Sequence, residues 1–329
     1  MEGKKLKNRA VLIIPWYGKL PAYLGVFLKS LAGKHIDVLW ISDADVGEHP
    51  SNFFFLRKTL EDVKSLLASR LQTRIVIDTN LRLSDFKPMF GKVFEEYIRE
   101  YDYWGWGDCD LIYGRKFNEF LERTLESGVY DIISMRKDYL TGPVCFLRNN
   151  QRMRNLYMSA TNWRENCALS GDIRMLFDEC GGEFHNQLMS CEMTMEDCSR
   201  IHDSMSAVVW RTHDLKVYKH DVINESALKN GETIKMENDV LTMDGKEIYV
   251  FHYVLAKCRR WFFCPNVPYG KVGLYRIART GFYFGDFAWA TRHFRIPVRY
   301  VRAIIKLFKR RGLFYMLRRV NRIPYELAK

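Results

Sequence analysis

The chain lacks the features that would place it in a specialised class. No apolar run approaches the ~18 residues that cross a bilayer. The N-terminus MEGKKLKNRAVLIIPWYG is basic, but its apolar stretch of about five residues is too short for a secretion signal. Nine prolines and 21 glycines in 329 residues exclude collagenous and low-complexity chains. The eight cysteines contain no CxxC pair and no compact zinc spacing. Without an export signal they are expected to be reduced, structural thiols in a cytoplasmic protein. No internal repeat is visible.

What is present suffices for a packed core. Residues are 47% hydrophobic and 14% aromatic, and the length fits one large domain or two smaller ones. The net charge of +12 is concentrated at one end. Residues 287–329 hold twelve of the 51 Lys and Arg and one of the 39 acids, Glu326, leaving 39 bases against 38 acids elsewhere. Within that tail Phe294, Val298, Val301, Ile305 and Phe308 recur at helical spacing. Arg295, Arg299, Arg302, Lys306 and Lys309 follow one step behind. Apolar and basic stripes side by side suit a helix lying in an anionic membrane interface. A docked terminal helix with a solvated basic face is the plainer reading, and a nucleic-acid arm gains little from a neutral body. The expected organisation is a domain over 1–275 and a basic amphipathic helical tail over 276–329. The tail would hold the protein peripherally on the inner face of a membrane.

The first hundred residues alternate between strand-like and helix-like patterns. AVLIIP (Ala10 to Pro15) and IDVLWIS (Ile36 to Ser42) are continuous apolar runs of the kind buried on both faces of a sheet. Helical spacing is expected over Pro21 to Leu31 and Leu56 to Leu71, and a third strand over Arg74 to Ile77. A helix over Lys87 to Glu100 would be opened by Ser84 or Asp85. A helix over Arg115 to Glu126 and strands near Asp131–Ser134 and Val144–Leu147 follow, then a mixed, helix-leaning middle to about Ser206. A hairpin spans Thr233 to Tyr253, turning at MDGK. The pattern predicts an α/β fold, a mostly parallel sheet with flanking helices.

The most informative segment is YDYWGWGDCDLIYG (Tyr101 to Gly114). Strand alternation sends residues i and i+2 to one side, so Asp108 and Asp110 can both address one hard cation. Mg²⁺ or Mn²⁺ held by one or two carboxylates keeps positions open for diphosphate oxygens. That suits a nucleotide-sugar, whose leaving diphosphate needs its charge neutralised. Capping or solvated aspartates are the alternative.

Four motifs in order, IIPWYGKLP, LSDFKPMFG, WGWGDCDLIYG and VFHYVLAK, resemble GT-A glycosyltransferases. Nearest is a bacterial family of surface-polysaccharide glycosyltransferases of uncharacterised function. The resemblance covers about Ala10 to Lys257. It implies a Rossmann-like GT-A domain, a divalent metal, a nucleotide-sugar donor, and a glycan or lipid-linked acceptor. It implies that Asp108 and Asp110 hold the metal, with Asp108 also meeting the donor, and that His252 completes the metal shell. Pro15, Trp16 and Tyr17 would line the nucleotide pocket. Asp43, closing the second strand, would meet the base or ribose, as ligands do at strand C-termini. Asp85 and Lys87 would lie near the donor sugar and phosphates, Asp85 being equally readable as a helix cap. Lys257 would meet the diphosphate. If the transfer is inverting, the acceptor base is expected at Asp178 and Glu179, with Glu196 and Asp197 as the rival pair. A non-catalytic carbohydrate- or lipid-binding scaffold on the same fold is the reading from another class.

Overall fold

The computed structural model describes residues 9–171, 175–181, 184, 187–188, 190, 192–201, 203–259, 262–290 and 292. The striped helix expected over Phe294 to Lys309 lies outside them. The chain forms two compact units. The first comprises the chain to Leu20, Leu31–Cys109 and Asn118–Val222, and the second Pro21–Ser30, Asp110–Phe117 and the chain from Ile223.

Strands of the first unit are β1 (Ala10–Pro15), β2 (Asp37–Ser42), β3 (Phe53–Arg57) and β4 (Tyr103–Gly107). After β4 a bend leads into β5 (Leu111–Tyr113) of the second unit; β6 (Ile132–Ser134), β7 (Val144–Arg148) and β8 (Val217–Lys219) return to the first. Together they make one seven-stranded sheet in the order β3-β2-β1-β4-β7-β6-β8. Among these strands only β7 runs against its neighbours, β4 and β6; the other pairs are parallel. The fold is therefore mixed α/β on a mostly parallel central sheet. The apolar run of β1 accounts for its central place: Leu12 and Ile13 are fully buried on opposite faces, each contributing about 1.5–3 kcal/mol.

The third parallel strand is not Arg74 to Ile77. FFFLR takes the place beside β2, with Val38 opposite Phe53 and Ile41 opposite Leu56. The aromatic run favours extended backbone and leaves helix α2 only Leu60–Leu71. Thr59 opens that helix: its hydroxyl accepts from Asp62 N at 3.1 Å, and Asp62 Oδ2 accepts from Thr59 N at 2.8 Å. The 74–77 stretch packs Ile77 into the core and bonds Val76 N to Cys167 O without joining the sheet. The expected Lys87 to Glu100 helix is likewise broken into a 3-10 helix over Asn80–Met89 and short turns over Phe90–Val93 and Glu95–Tyr97. Pro88 lies within the 3-10 helix and lacks an N–H to donate there.

The second unit holds α1 (Leu24–Leu31) and two antiparallel-rich sheets. β9 (Ile223–Glu225) and β13 (Val250–His252) form a three-stranded sheet with β5, in the order β5-β13-β9. β10 (Ile234–Glu237), β11 (Val240–Met243), β12 (Lys246–Glu247), β14 (Tyr275–Ala278) and β15 (Gly281–Phe284) form the other. The turn at MDGK is present: Met243 faces Lys246 across Asp244 and Gly245, both at positive φ (50° and 80°), the Asp-Gly signature of a two-residue hairpin. A second such turn at Asn238 and Asp239 (φ 48° and 68°) makes the segment a meander instead of one hairpin. β14 pairs with β10 through Tyr275, Arg276 and Ile277. A boundary after residue 275 would divide that strand.

Candidate metal and donor site

Parallel neighbours end at the same sheet edge. β1 and β2 close at Pro15 and Ser42, paired one register apart, and β4 reaches Gly107 just beyond Trp106, the partner of Ile13. The residues following these strands, Trp16 and Tyr17, Asp43, and Asp108, therefore gather at one edge of the first unit. Trp16 stacks on Trp40 with ring centroids 6.2 Å apart, and Pro15 and Trp16 are half-buried. Asn80 Nδ2 donates to Tyr17 O at 2.9 Å, fixing the turn. Tyr17 itself is buried, and burial raises its phenol pKa. Asp43 is exposed in the bend after β2.

Asp108 leads into a buried cluster of the same unit. Lys87 Nζ donates to Asp108 Oδ1 at 2.7 Å and to Gly142 O at 2.8 Å, and pairs with Asp178 Oδ2 at 3.2 Å. Glu179 Oε1 accepts from Gly142 N at 2.8 Å. The structure thus brings Lys87, Asp108 and the Asp178–Glu179 pair together around Gly142. A side chain at that glycine has no room: a Cβ would lie 2.5 Å from Glu179 Oε1 and 2.8 Å from Asp178 Oδ2. Gly142→Ala should therefore displace the acids and cost about 1–3 kcal/mol of stability, seen as a melting temperature lower by several degrees while the far-UV circular dichroism stays native. An unchanged melting temperature would show that the acids yield at no cost.

Asp110 belongs to a second cluster, inside the second unit. The D-x-D triplet is a bend, not strand, so strand alternation does not orient it. Asp110 Oδ2 lies 3.3 Å from His252 Nε2 and 2.5 Å from Lys257 Nζ. Register delivers the histidine: His252 on β13 pairs with Leu111 on β5 and with Glu225 on β9. Its Nδ1 meets Glu225 Oε1 at 2.6 Å. Glu225 carries no motif, and only the parallel pairing of β9 with β13 reveals it. A histidine that gives one nitrogen to a carboxylate and turns the other toward an acid is arranged as metal-ligating imidazoles are.

The chain itself keeps Asp108 within two residues of Asp110. Asp108, Asp110 and His252 are the one set of three acid or histidine side chains among the described residues that could hold a metal ion. Two hard carboxylates and an imidazole suit Mn²⁺ or Mg²⁺, and the set lacks the thiolates that would favour softer metals.

Charge sets the protonation of this group. Burial pulls the His252 pKa down, but the Asp110 and Glu225 carboxylates outweigh it and raise it to about 9. Burial likewise disfavours the Asp110 carboxylate, yet His252 and then Lys257 hold its pKa well below the usual range. A raised imidazole pKa contributes stability that is complete below the ordinary value of 6.5 and is lost as pH rises through about 9. In a chelator, the melting temperature should therefore fall between pH 7 and 9.5, and His252→Asn should flatten that fall. An identical decline in the variant would contradict the assignment.

Asp85 bonds to the backbone just before the first cluster's acids, and Glu196 and Asp197 bond within or beside their own helix. Asp85 is buried against Arg82 and bonds two backbone amides; it sits inside the 3-10 helix, not at a helix cap. Asp197 closes a capping box with Thr194, the cap of its helix, accepting from Thr194 N at 3.1 Å and Thr194 Oγ1 at 2.6 Å, and Glu196 pairs with Arg200. The cysteines expected to be reduced are free wherever described, five of the seven buried. No helix among the described residues is long and apolar enough to cross a membrane.

A family model described as "Family of unknown function (DUF6625)" matches residues 12–266. No curated protein matches the chain. Among solved structures it is similar to mouse xyloside xylosyltransferase 1 in its apo form, at 10% identity and a TM-score of 0.39, over 75% of this chain and 97% of that one. It is also similar to the glycosyltransferase GlyE of Streptococcus pneumoniae TIGR4, at 12% identity and a TM-score of 0.29, over 64% of this chain and 45% of that one.

Proposed function

The chain belongs to the family of unknown function DUF6625, and we propose that it is a metal-dependent GT-A glycosyltransferase. It would move a sugar from a nucleoside-diphosphate donor to a glycan or lipid-linked acceptor of a surface polysaccharide. The observation that carries this is the group that Asp110 forms with His252 and Lys257 in the second unit, two residues after Asp108 in the D-x-D triplet. A cation bound by Asp108, Asp110 and His252 would neutralise charge on the leaving diphosphate.

The protein's own groups supply the rest. Glu225 holds His252 Nδ1–H, fixing the ring so that Nε2 faces Asp110. Lys257 and Lys87 each rest on a carboxylate of the triplet. Both ammonium groups are placed to take up phosphate oxygens. Pro15, Trp16 and Tyr17 wall the nucleotide at the strand edge, with Asp43 beside them as a ribose or base acceptor. In an inverting transfer the Asp178–Glu179 pair takes the proton of the acceptor hydroxyl, since the enclosed carboxylates beside Lys87 are positioned and shielded from bulk water.

A panel of nucleoside-diphosphate sugars, each incubated with Mn²⁺ and with EDTA, tests the reading. Turnover of at least one donor that vanishes with EDTA is expected. Binding of sugars or lipids with no metal-dependent turnover would favour the non-catalytic scaffold. The basic tail, with its alternating apolar and cationic positions, is assigned to the anionic inner face of the membrane. Deleting residues 293–329 should abolish co-sedimentation with phosphatidylglycerol vesicles and leave donor hydrolysis within about twofold. Continued sedimentation of the truncated chain would remove the tail as anchor.

A further inference from the structure

Within the first unit, Arg82 and Asp85 form an ion pair with both side chains almost wholly buried (1% and 3% exposed). Arg82 Nη2 also donates to Asn166 O at 2.6 Å. Asp85 uses both oxygens on backbone: Oδ2 accepts from Met175 N at 3.0 Å and Oδ1 from Phe177 N at 3.2 Å. The residue between those two amides, Leu176, lies at φ 51°, a left-handed conformation that costs a branched side chain free energy. Leu176 O then accepts from Glu179 N and Gly181 N, both at 3.1 Å. Asp178 and Glu179 are thus the next residues of a turn whose strained residue is gripped on both sides by one carboxylate.

We propose that Asp85, anchored by Arg82, is a positioning residue that clamps the Leu176 turn and so presents the Asp178–Glu179 pair. The proposal rests on the glycosyltransferase reading for the purpose of that pair, but the clamp itself is a property of the fold. It gives Asp85 no contact with the donor. It also accounts for a buried charge pair where two apolar side chains would pack at lower cost: the carboxylate is needed because one group must satisfy two amides flanking an unfavourable φ. Glycine adopts that φ at almost no cost, so it makes the turn less dependent on the clamp.

The test follows amide hydrogen exchange at Met175 and Phe177 in the full chain, alongside donor turnover with the sugar nucleotide processed fastest in the panel above. Asp85→Asn should speed exchange of these two amides by about 10²-fold or more, leave Leu12 and Trp104 unchanged, and lower kcat about 10- to 100-fold with donor KM within twofold. Adding Leu176→Gly should restore part of both, by roughly tenfold. Should Asp85→Asn fold poorly because it leaves the guanidinium buried, Arg82→Met/Asp85→Asn with and without Leu176→Gly carries the same comparison. Unaltered exchange at both amides, or a further loss on adding glycine, overturns the clamp. If exchange changes as expected while no donor is turned over by wild type, the clamp stands and the glycosyltransferase reading fails.

Discussion

Replacing Asp110 with alanine is expected to lower metal-dependent donor turnover by about 10³-fold, because a bound cation is worth several kcal/mol of charge stabilisation and each 1.36 kcal/mol is tenfold. Asp110 is the acid whose carboxylate meets both His252 and Lys257, so its loss removes a proposed metal ligand and separates the two cationic side chains from their shared partner. Mn²⁺ binding should be lost in parallel. Asp110→Asn keeps the volume and one acceptor but not the charge, and should fail nearly as badly. Equal turnover in wild type and both variants would dismiss the metal chemistry, whatever the fold.

The second large effect concerns stability. Lys87 joins the half-exposed Asp108 to Asp178, whose side chain is fully enclosed. Removing one member of a buried ion pair costs about 3–5 kcal/mol, since the remaining charge keeps its desolvation penalty. Lys87→Met should therefore lower the melting temperature by about 10 °C. Adding Asp178→Asn removes that stranded charge, and should recover a substantial part of the loss in the double variant. Strictly additive destabilisation would show that Lys87 and Asp178 are not energetically coupled.

The parts of the fold legible in the sequence were those with one dominant physical signal. The unbroken apolar run of β1 and the Asp-Gly turn at Asp244–Gly245 each follow from a strong local preference. Where two signals compete, the fold departs from the local pattern. Phe53 to Arg57 has the aromatic content of a strand, but Leu56 also opens a helical spacing that continues through α2. Arg74 to Ile77 has the composition of a strand, yet β3 already occupies the side of β2 away from β1. Local pattern carries no information about which edge is taken.

The candidate site divides in the same way. Asp108, Asp110, Lys87 and His252 lie in motifs, and the structure places each beside another of them. Glu225 and Arg82 lie outside any motif. Glu225 becomes visible only through the register of β9 on β13, a long-range pairing. Arg82 and Asp85 stand three residues apart in a stretch whose sequence suggests a surface helix start, whereas the broken 3-10 geometry turns both inward. Residue type alone does not rank the Asp178–Glu179 pair against Glu196 and Asp197, since both pairs join one aspartate to one glutamate. Their burial differs: Asp178 and Glu179 are enclosed, while Glu196 and Asp197 are exposed in the first turn of a helix, where Asp197 bonds to Thr194.

The proposed function stands on Asp108, Asp110 and His252 holding a divalent cation for a nucleoside diphosphate. Titrating the full-length protein with Mn²⁺ and following the free-ion electron paramagnetic resonance signal, with and without UDP or GDP, tests it most directly. One Mn²⁺ per chain is expected, bound more tightly when one of these nucleotides is present, and lost in both Asp110→Ala and His252→Ala. Binding that is the same in wild type and in these two variants, or no binding with either nucleotide, would contradict it.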